Sequence, residues 1–180
     1  AGSGSLTSTK VYGSVAYHQM LGLSSLLSAG FNIGWANKHI NESKLKFPDQ
    51  FDGQFFDNAL PTSVVLDAPS VNYFDMQVGL NYAYFPTDKL YVNGGLSAWH
   101  INRPRESFFT LDPSGFDSRI MPRYTGFVNA SIKYSDNVII NPMAYYSRQA
   151  KASETVLGAN LQYNLSGDGE TQLLAGLYMR

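Results

Sequence analysis

The 180-residue chain contains no cysteine, which removes disulfides, thiolate metal sites and thiol nucleophiles from consideration. Charge is scarce. Only 15% of residues are Asp, Glu, Lys or Arg, against the usual quarter or so, and the formal net charge is -1. So small a balance gives no field that would favour nucleic acid. No run reaches the roughly 18 consecutive apolar residues that a membrane helix needs, and the mean hydropathy is -0.18. The first residues, Ala-Gly-Ser-Gly-Ser, lack the charged and apolar regions of a signal peptide. Either a signal peptide has been removed or the chain begins inside a longer protein. Aromatics, by contrast, are abundant, with 12 Tyr and 11 Phe.

Where order is legible it has a period of two. In residues 90–101, Leu90, Val92, Leu96 and Ala98 fall on one face, and Tyr91, Asn93, Ser97 and Trp99 on the other. That is a strand with one apolar and one polar side. Pro104 lacks a donor and biases Arg103 away from helical angles, so the strand stops near Asn102. The same alternation marks residues 10–20, 27–36, 74–84, 124–134 and 155–165, and residues 173–180 form a last, short strand. Residues 138–146 form the least regular strand because Pro142 lies inside it, and proline suits an edge or a bulge. The connections are short at 21–25, 85–89, 135–137 and 167–169, medium at 147–153, and long at 41–72 and 102–121.

About eight strands of roughly 9–15 residues exceed the five or six residues common in soluble sheets. Loops sorted into a short side and a long side suit a transmembrane β-barrel. Tyr17, Tyr82, Tyr84, Phe85, Tyr91, Tyr134 and Tyr163 lie near short turns, while Trp35, Tyr73, Phe74, Trp99, Tyr124, Tyr145 and Tyr146 lie near long loops. Two aromatic belts are what two lipid–water interfaces attract. The fold expected is therefore an all-β, antiparallel outer-membrane barrel. The rival is a soluble sandwich whose aromatics simply pack. The polar face, with Asn32, Asn81, Asn93, Asn129, Asn160, Gln77 and Gln162, would line a lumen that is either open or plugged.

An ordered set of segments resembles the PorP/SprF family of the type IX secretion system of Bacteroidetes. The segments are Leu26-Leu-Ser-Ala-Gly-Phe31, Lys44-Leu-Lys-Phe-Pro-Asp-Gln-Phe-Asp-Gly53, Ala59-Leu-Pro61, Tyr73-Phe-Asp75, His100-Ile-Asn-Arg-Pro-Arg-Glu-Ser-Phe108 and Leu157-Gly-Ala-Asn-Leu-Gln-Tyr-Asn-Leu165. The resemblance implies an outer-membrane barrel longer than this chain. Residues 1–180 would form a single β-barrel region, the middle of that barrel, without its N-terminal and C-terminal strands. It also implies a non-enzymatic accessory role: exporting or anchoring secreted adhesins through their C-terminal domain, together with other secretion components in the periplasm and outer membrane. The alternatives are a passive pore or small-molecule transporter, and a complete eight-stranded membrane anchor.

Few residues suggest chemistry. His18, His39 and His100 are far apart and lack ligand spacing. Asp49, Asp52 and Asp57 with Gly53 lack the ligand pattern and terminal Glu of a calcium loop, so they read as a solvated loop. No Gly-x-Ser-x-Gly elbow occurs. No cofactor, metal or catalytic residue is assigned. The candidates are for partner binding. Phe51, Phe55 and Phe56 stand among acidic residues in the first long loop, as a docking patch or as a plug over the lumen. Arg103 and Arg105, with Arg119 and Arg123, flank the second. They suit lipopolysaccharide phosphates or a docked protein, or, as the favoured reading, internal pairing with Glu106, Asp112 and Asp117.

Overall fold

A computed structural model describes residues 5–41, 45–57, 59–64, 68–108, 118–166 and 171–180. The expected turn at 167–169 lies outside them. Eight strands follow one another: β1 (Leu6–Met20), β2 (Ser25–Ile40), β3 (Ser70–Thr87), β4 (Leu90–Trp99), β5 (Arg123–Ser135), β6 (Val138–Gln149), β7 (Ala152–Asn164) and β8 (Gln172–Met179). They form one sheet in sequence order, so β1 and β8 are its two ends and the sheet is not closed. The ladders from β3 to β8 are antiparallel. No α-helix occurs among the described residues, only one turn of 3-10 helix, Pro48–Gln50.

The alternation sets the faces, but not in the sense a water-soluble sheet would require. In β3, Phe74 and Leu80 keep 61% and 57% of their surface, while Asp75 keeps 1% and Gln77 8%. In β2, Leu27, Phe31, Ile33 and Trp35 are exposed, and the small or polar residues between them are more sheltered. Burying polar groups while exposing large apolar ones is favourable only where the outer medium is itself apolar. The all-β architecture and this inverted pattern agree with part of a membrane barrel.

The sheltered face is tied together by amides. Asn93 Nδ2 donates to Asn81 Oδ1 at 3.5 Å, Asn129 Nδ2 to Asn93 Oδ1 at 3.4 Å, and Asn141 Nδ2 to Asn160 Oδ1 at 2.8 Å. Asn160 in turn donates to the Tyr178 hydroxyl at 3.2 Å. On the same face the Phe127 ring lies across Gly95. A Cβ at residue 95 would stand 2.7 Å from the ring and 3.0 Å from the Leu80 carbonyl, so glycine is needed for this close approach.

Three details depart from the alternating pattern. The medium loop expected at 147–153 is strand almost throughout: Ser147 pairs with Glu154, Arg148 with Ser153, and Gln149 with Ala152. Only Ala150 and Lys151 turn the chain, with Ala150 at φ 52°, in the left-handed region that tight hairpins use. Its polarity suggested a loop, but paired strand ends can project past the apolar zone. Pro142 is not on an edge, because β6 lies between β5 and β7. Its missing donor falls on the β5 side, where no pair stands between Asn129↔Met143 and Ile132↔Ile140; on the β7 side it pairs with Ala159. Pro86, expected in a turn, sits inside β3 at a register shift between Tyr84 and Thr87.

Two compact units are distinguished by their internal contacts. One comprises residues 1–13, 33–75 and 103–120, and holds both long loops; the other comprises 14–32, 76–102 and 121–180, and holds the regular ladders.

Candidate partner-docking site

The first long loop leaves β2 at Ile40, whose N–H donates to Pro69 O at 2.8 Å, and so closes the loop at its base. Pro48 opens the 3-10 turn, where its fixed φ fits and its missing N–H costs nothing. Gln50 is the loop's interior, with 6% exposure. Its side chain accepts from Phe47 N–H and donates to Leu60 O, each at 3.1 Å, and its carbonyl accepts from Asp57 N–H at 2.9 Å. A buried glutamine bonded through both side-chain polar atoms and its own carbonyl gives the loop a substitute for a core. Asp49 accepts from Ser63 N–H at 2.6 Å, Ser63 Oγ at 2.9 Å and Thr62 Oγ1 at 3.0 Å. The Ser63 amide, then its hydroxyl, then Thr62 hold this carboxyl below its ordinary range.

On that base stands a small hairpin. Phe51 bridges Phe56, and Asp52 N–H donates to Phe55 O at 3.1 Å. Gly53 takes φ 104°, which only glycine adopts freely. Asp52 Oδ1 accepts from Phe55 N–H at 2.7 Å and Gln54 N–H at 2.8 Å; those two amides, Phe55 first, lower its carboxyl. The Phe51 and Phe56 rings meet at 5.2 Å and 50°, with Lys46 Nζ 5.7 Å from the Phe56 centroid. All three rings stay exposed, Phe55 at 73%. Asp49 and Asp52 thus direct oxygens to the loop's own donors.

The second long loop carries Arg103 and Arg105. Arg103 has φ 45°, and both side chains are exposed. The limbs of the loop pair: Ile120 N–H donates to Pro104 O at 2.9 Å, Glu106 N–H to Ser118 O at 3.1 Å, and Arg105 bridges Arg119. Arg105 Nε also donates to Ser118 Oγ at 3.2 Å. Glu106 forms an ion pair with Lys38 of β2 and accepts from the Tyr73 hydroxyl of β3 at 3.1 Å. Asp112 and Asp117 lie outside the described residues. Arg123 turns onto its strand face, donating to Ser147 Oγ at 2.9 Å and Tyr145 Oη at 3.0 Å.

The family model for the type IX secretion system membrane protein PorP/SprF matches residues 2–180. The chain belongs to the PorP/SprF family. No curated protein matches it significantly. No solved structure does so either. As a PorP/SprF protein it is a membrane component of the type IX secretion system and works with other components of that system; the family is not a known enzyme family. Its all-β fold fits an outer membrane.

In this PorP/SprF chain Phe51, Phe55 and Phe56 come together on one hairpin, while Arg103 and Arg105 occupy the other loop, each segment with its own scaffold. Sequence reasoning passed over Lys38, set Tyr73 in an aromatic belt and paired Glu106 with the arginines, whereas Lys38 and Tyr73 both meet Glu106. The available signal was Lys38, the one charged side chain in the run that became β2. It also missed Tyr12, whose hydroxyl donates to the buried Asp75 at 3.4 Å. Tyr73 and Tyr145 turn to the sheltered face instead of joining an interfacial belt.

Proposed function

We propose that the protein is a non-enzymatic outer-membrane component that docks a secreted surface adhesin through its C-terminal domain, so aiding export or anchoring. The observation carrying this reading is the first loop. Three phenylalanines are held outward by a scaffold of Gln50, Asp49 and Asp52, rather than folded down onto the chain. An apolar cluster rimmed by charge, and preorganised, is a protein contact in waiting. Arg103 and Arg105 add cationic groups for the same partner, and both long loops face the cell exterior. Replacing Phe51, Phe55 and Phe56 together with serine should leave the protein in the membrane and lower adhesin at the surface about tenfold or more, the loss expected for aromatic anchors. Antibody labelling of intact cells reads adhesin, and solute flux in liposomes reads permeability. Normal display with raised flux would replace docking by a plugged pore.

We also propose that residues 1–180 are one β-barrel region within a larger barrel, and not a self-contained eight-stranded anchor. β1 and β8 do not pair with each other, and both are exposed along their length. Such edges would leave backbone groups unpaired in lipid at several kcal/mol each. Residues 1–180 expressed alone should aggregate in detergent instead of closing, read as the absence of heat-modifiable gel mobility. A compact, protease-resistant, heat-modifiable monomer would restore the anchor.

A further inference from the structure

The exposed face of the regular unit is not smooth. A groove of about 650 Å³ opens on it, lined among others by Leu80, Leu96, Ala98, Tyr124, Gly126 and Tyr146. The register explains the gap. Ala98 stands between Val78 and Tyr124, and Gly126 between Leu96 and Tyr146, so two small residues interrupt rows of bulky ones. The volume falls in the range of small-molecule sites, roughly 300–1,000 Å³, and almost no polar surface lines it.

At one end the chemistry changes. Arg148 pairs in register with Tyr124 and lies on the same face as Tyr146, two residues further along β6 or about 7 Å. Its side chain is exposed, with one contact from Nε to Ala150 O at 3.5 Å. Lys151 follows in the turn, also exposed. The nearest carboxylate in sequence, Glu154, is on the opposite face of the sheet and pairs with Arg180 at 2.7 Å. An apolar slot walled by two tyrosines, with an exposed arginine in register just beyond it on the turn side, matches an acyl chain below an anionic headgroup: tyrosines prefer the interface, and the Arg fork matches phosphate.

The geometry points to a binding site for the phosphorylated glycolipid of the outer leaflet, lipopolysaccharide, with an acyl chain in this groove and a phosphate on Arg148. The leaflet rests on the outward orientation proposed above; the site itself does not involve the aromatic hairpin.

The test uses the full-length protein in detergent and native mass spectrometry, with phosphorylated lipid A, its dephosphorylated form and phosphatidylglycerol as probes. Phosphorylated lipid A should be retained best. Arg148→Gln should weaken its binding about tenfold, the scale of one charge-assisted contact, and leave the dephosphorylated form unchanged. Ala98→Phe, which fills the groove, should weaken both forms, with heat-modifiable gel mobility confirming folding. Equal retention of both forms by the unmodified protein, or unaltered binding by Arg148→Gln, overturns the site. Preference for phosphatidylglycerol overturns the choice of lipid. Adhesin display by Arg148→Gln cells reports separately on docking.

Discussion

Arginine at Leu80 or Leu161 is expected to lower folding stability in a bilayer by about 2–4 kcal/mol each, the cost of a cation on the lipid face near mid-membrane. Both side chains are exposed, at 57% and 43%. Leu80 pairs across the ladder with Leu96, and Leu161 with Ile140 on one side and Ala175 on the other. In water, arginine at an exposed leucine would be close to neutral, so the sign and size of the effect report the medium. Asn81→Arg and Asn160→Arg should cost less, about 1 kcal/mol, because each breaks an amide hydrogen bond on the sheltered face and no charge enters lipid. Urea unfolding in liposomes measures all four variants. Tolerance of arginine at both leucines, equal to that at the asparagines, would mean that the exposed face does not meet lipid.

The second large effect concerns the anchor of the second loop. Lys38→Met should destabilise the attachment of this loop by about 2–3 kcal/mol. Removing one partner of a fully buried pair costs roughly 3–5 kcal/mol, and the discount is for side chains that keep 20% and 24% of their surface. Glu106 would then lose its cation and keep only the Tyr73 hydroxyl and contacts within the loop. Limited trypsin digestion of the native protein reads the result as faster cleavage after Arg119, with Tyr73→Phe giving a smaller gain. Adding Glu106→Gln to Lys38→Met should cost little more than Lys38→Met alone, since the pair acts as a unit. An unchanged cleavage rate in Lys38→Met would show that the strand-to-loop ion pair does not hold the loop.

Much of the architecture was legible because strand geometry writes itself into sequence at every second residue. Leu90, Val92, Leu96 and Ala98 against Tyr91, Asn93, Ser97 and Trp99 need no partner to be recognised as β4. Its turn, Asp88–Lys89, was legible through local punctuation. The β6–β7 hairpin was not, because polar residues at the end of a long strand have the composition of a loop. Only their pairing, Arg148 with Ser153 and Gln149 with Ala152, distinguishes the two. Pro142 misled for a similar reason. The proline rule concerns the missing donor, and which neighbour would have received it depends on sheet order, which no local pattern contains.

The candidate site divides in the same way. That residues 41–72 hold phenylalanines among acids is composition, visible in the chain. That Phe51 and Phe56 meet at 5.2 Å while Phe55 stands clear depends on a buried glutamine reaching from residue 50 to the carbonyl of residue 60. The sequence by itself determined the strand periodicity, the separation of apolar and polar faces, the two long loops and the family. Those properties are local or cumulative along the chain. The tertiary structure decided which face is sheltered, that Glu106 answers to Lys38 and Tyr73, and that small residues on two neighbouring strands, Ala98 and Gly126, leave a groove. Each depends on contacts between residues far apart in sequence, which the folded sheet alone brings into register.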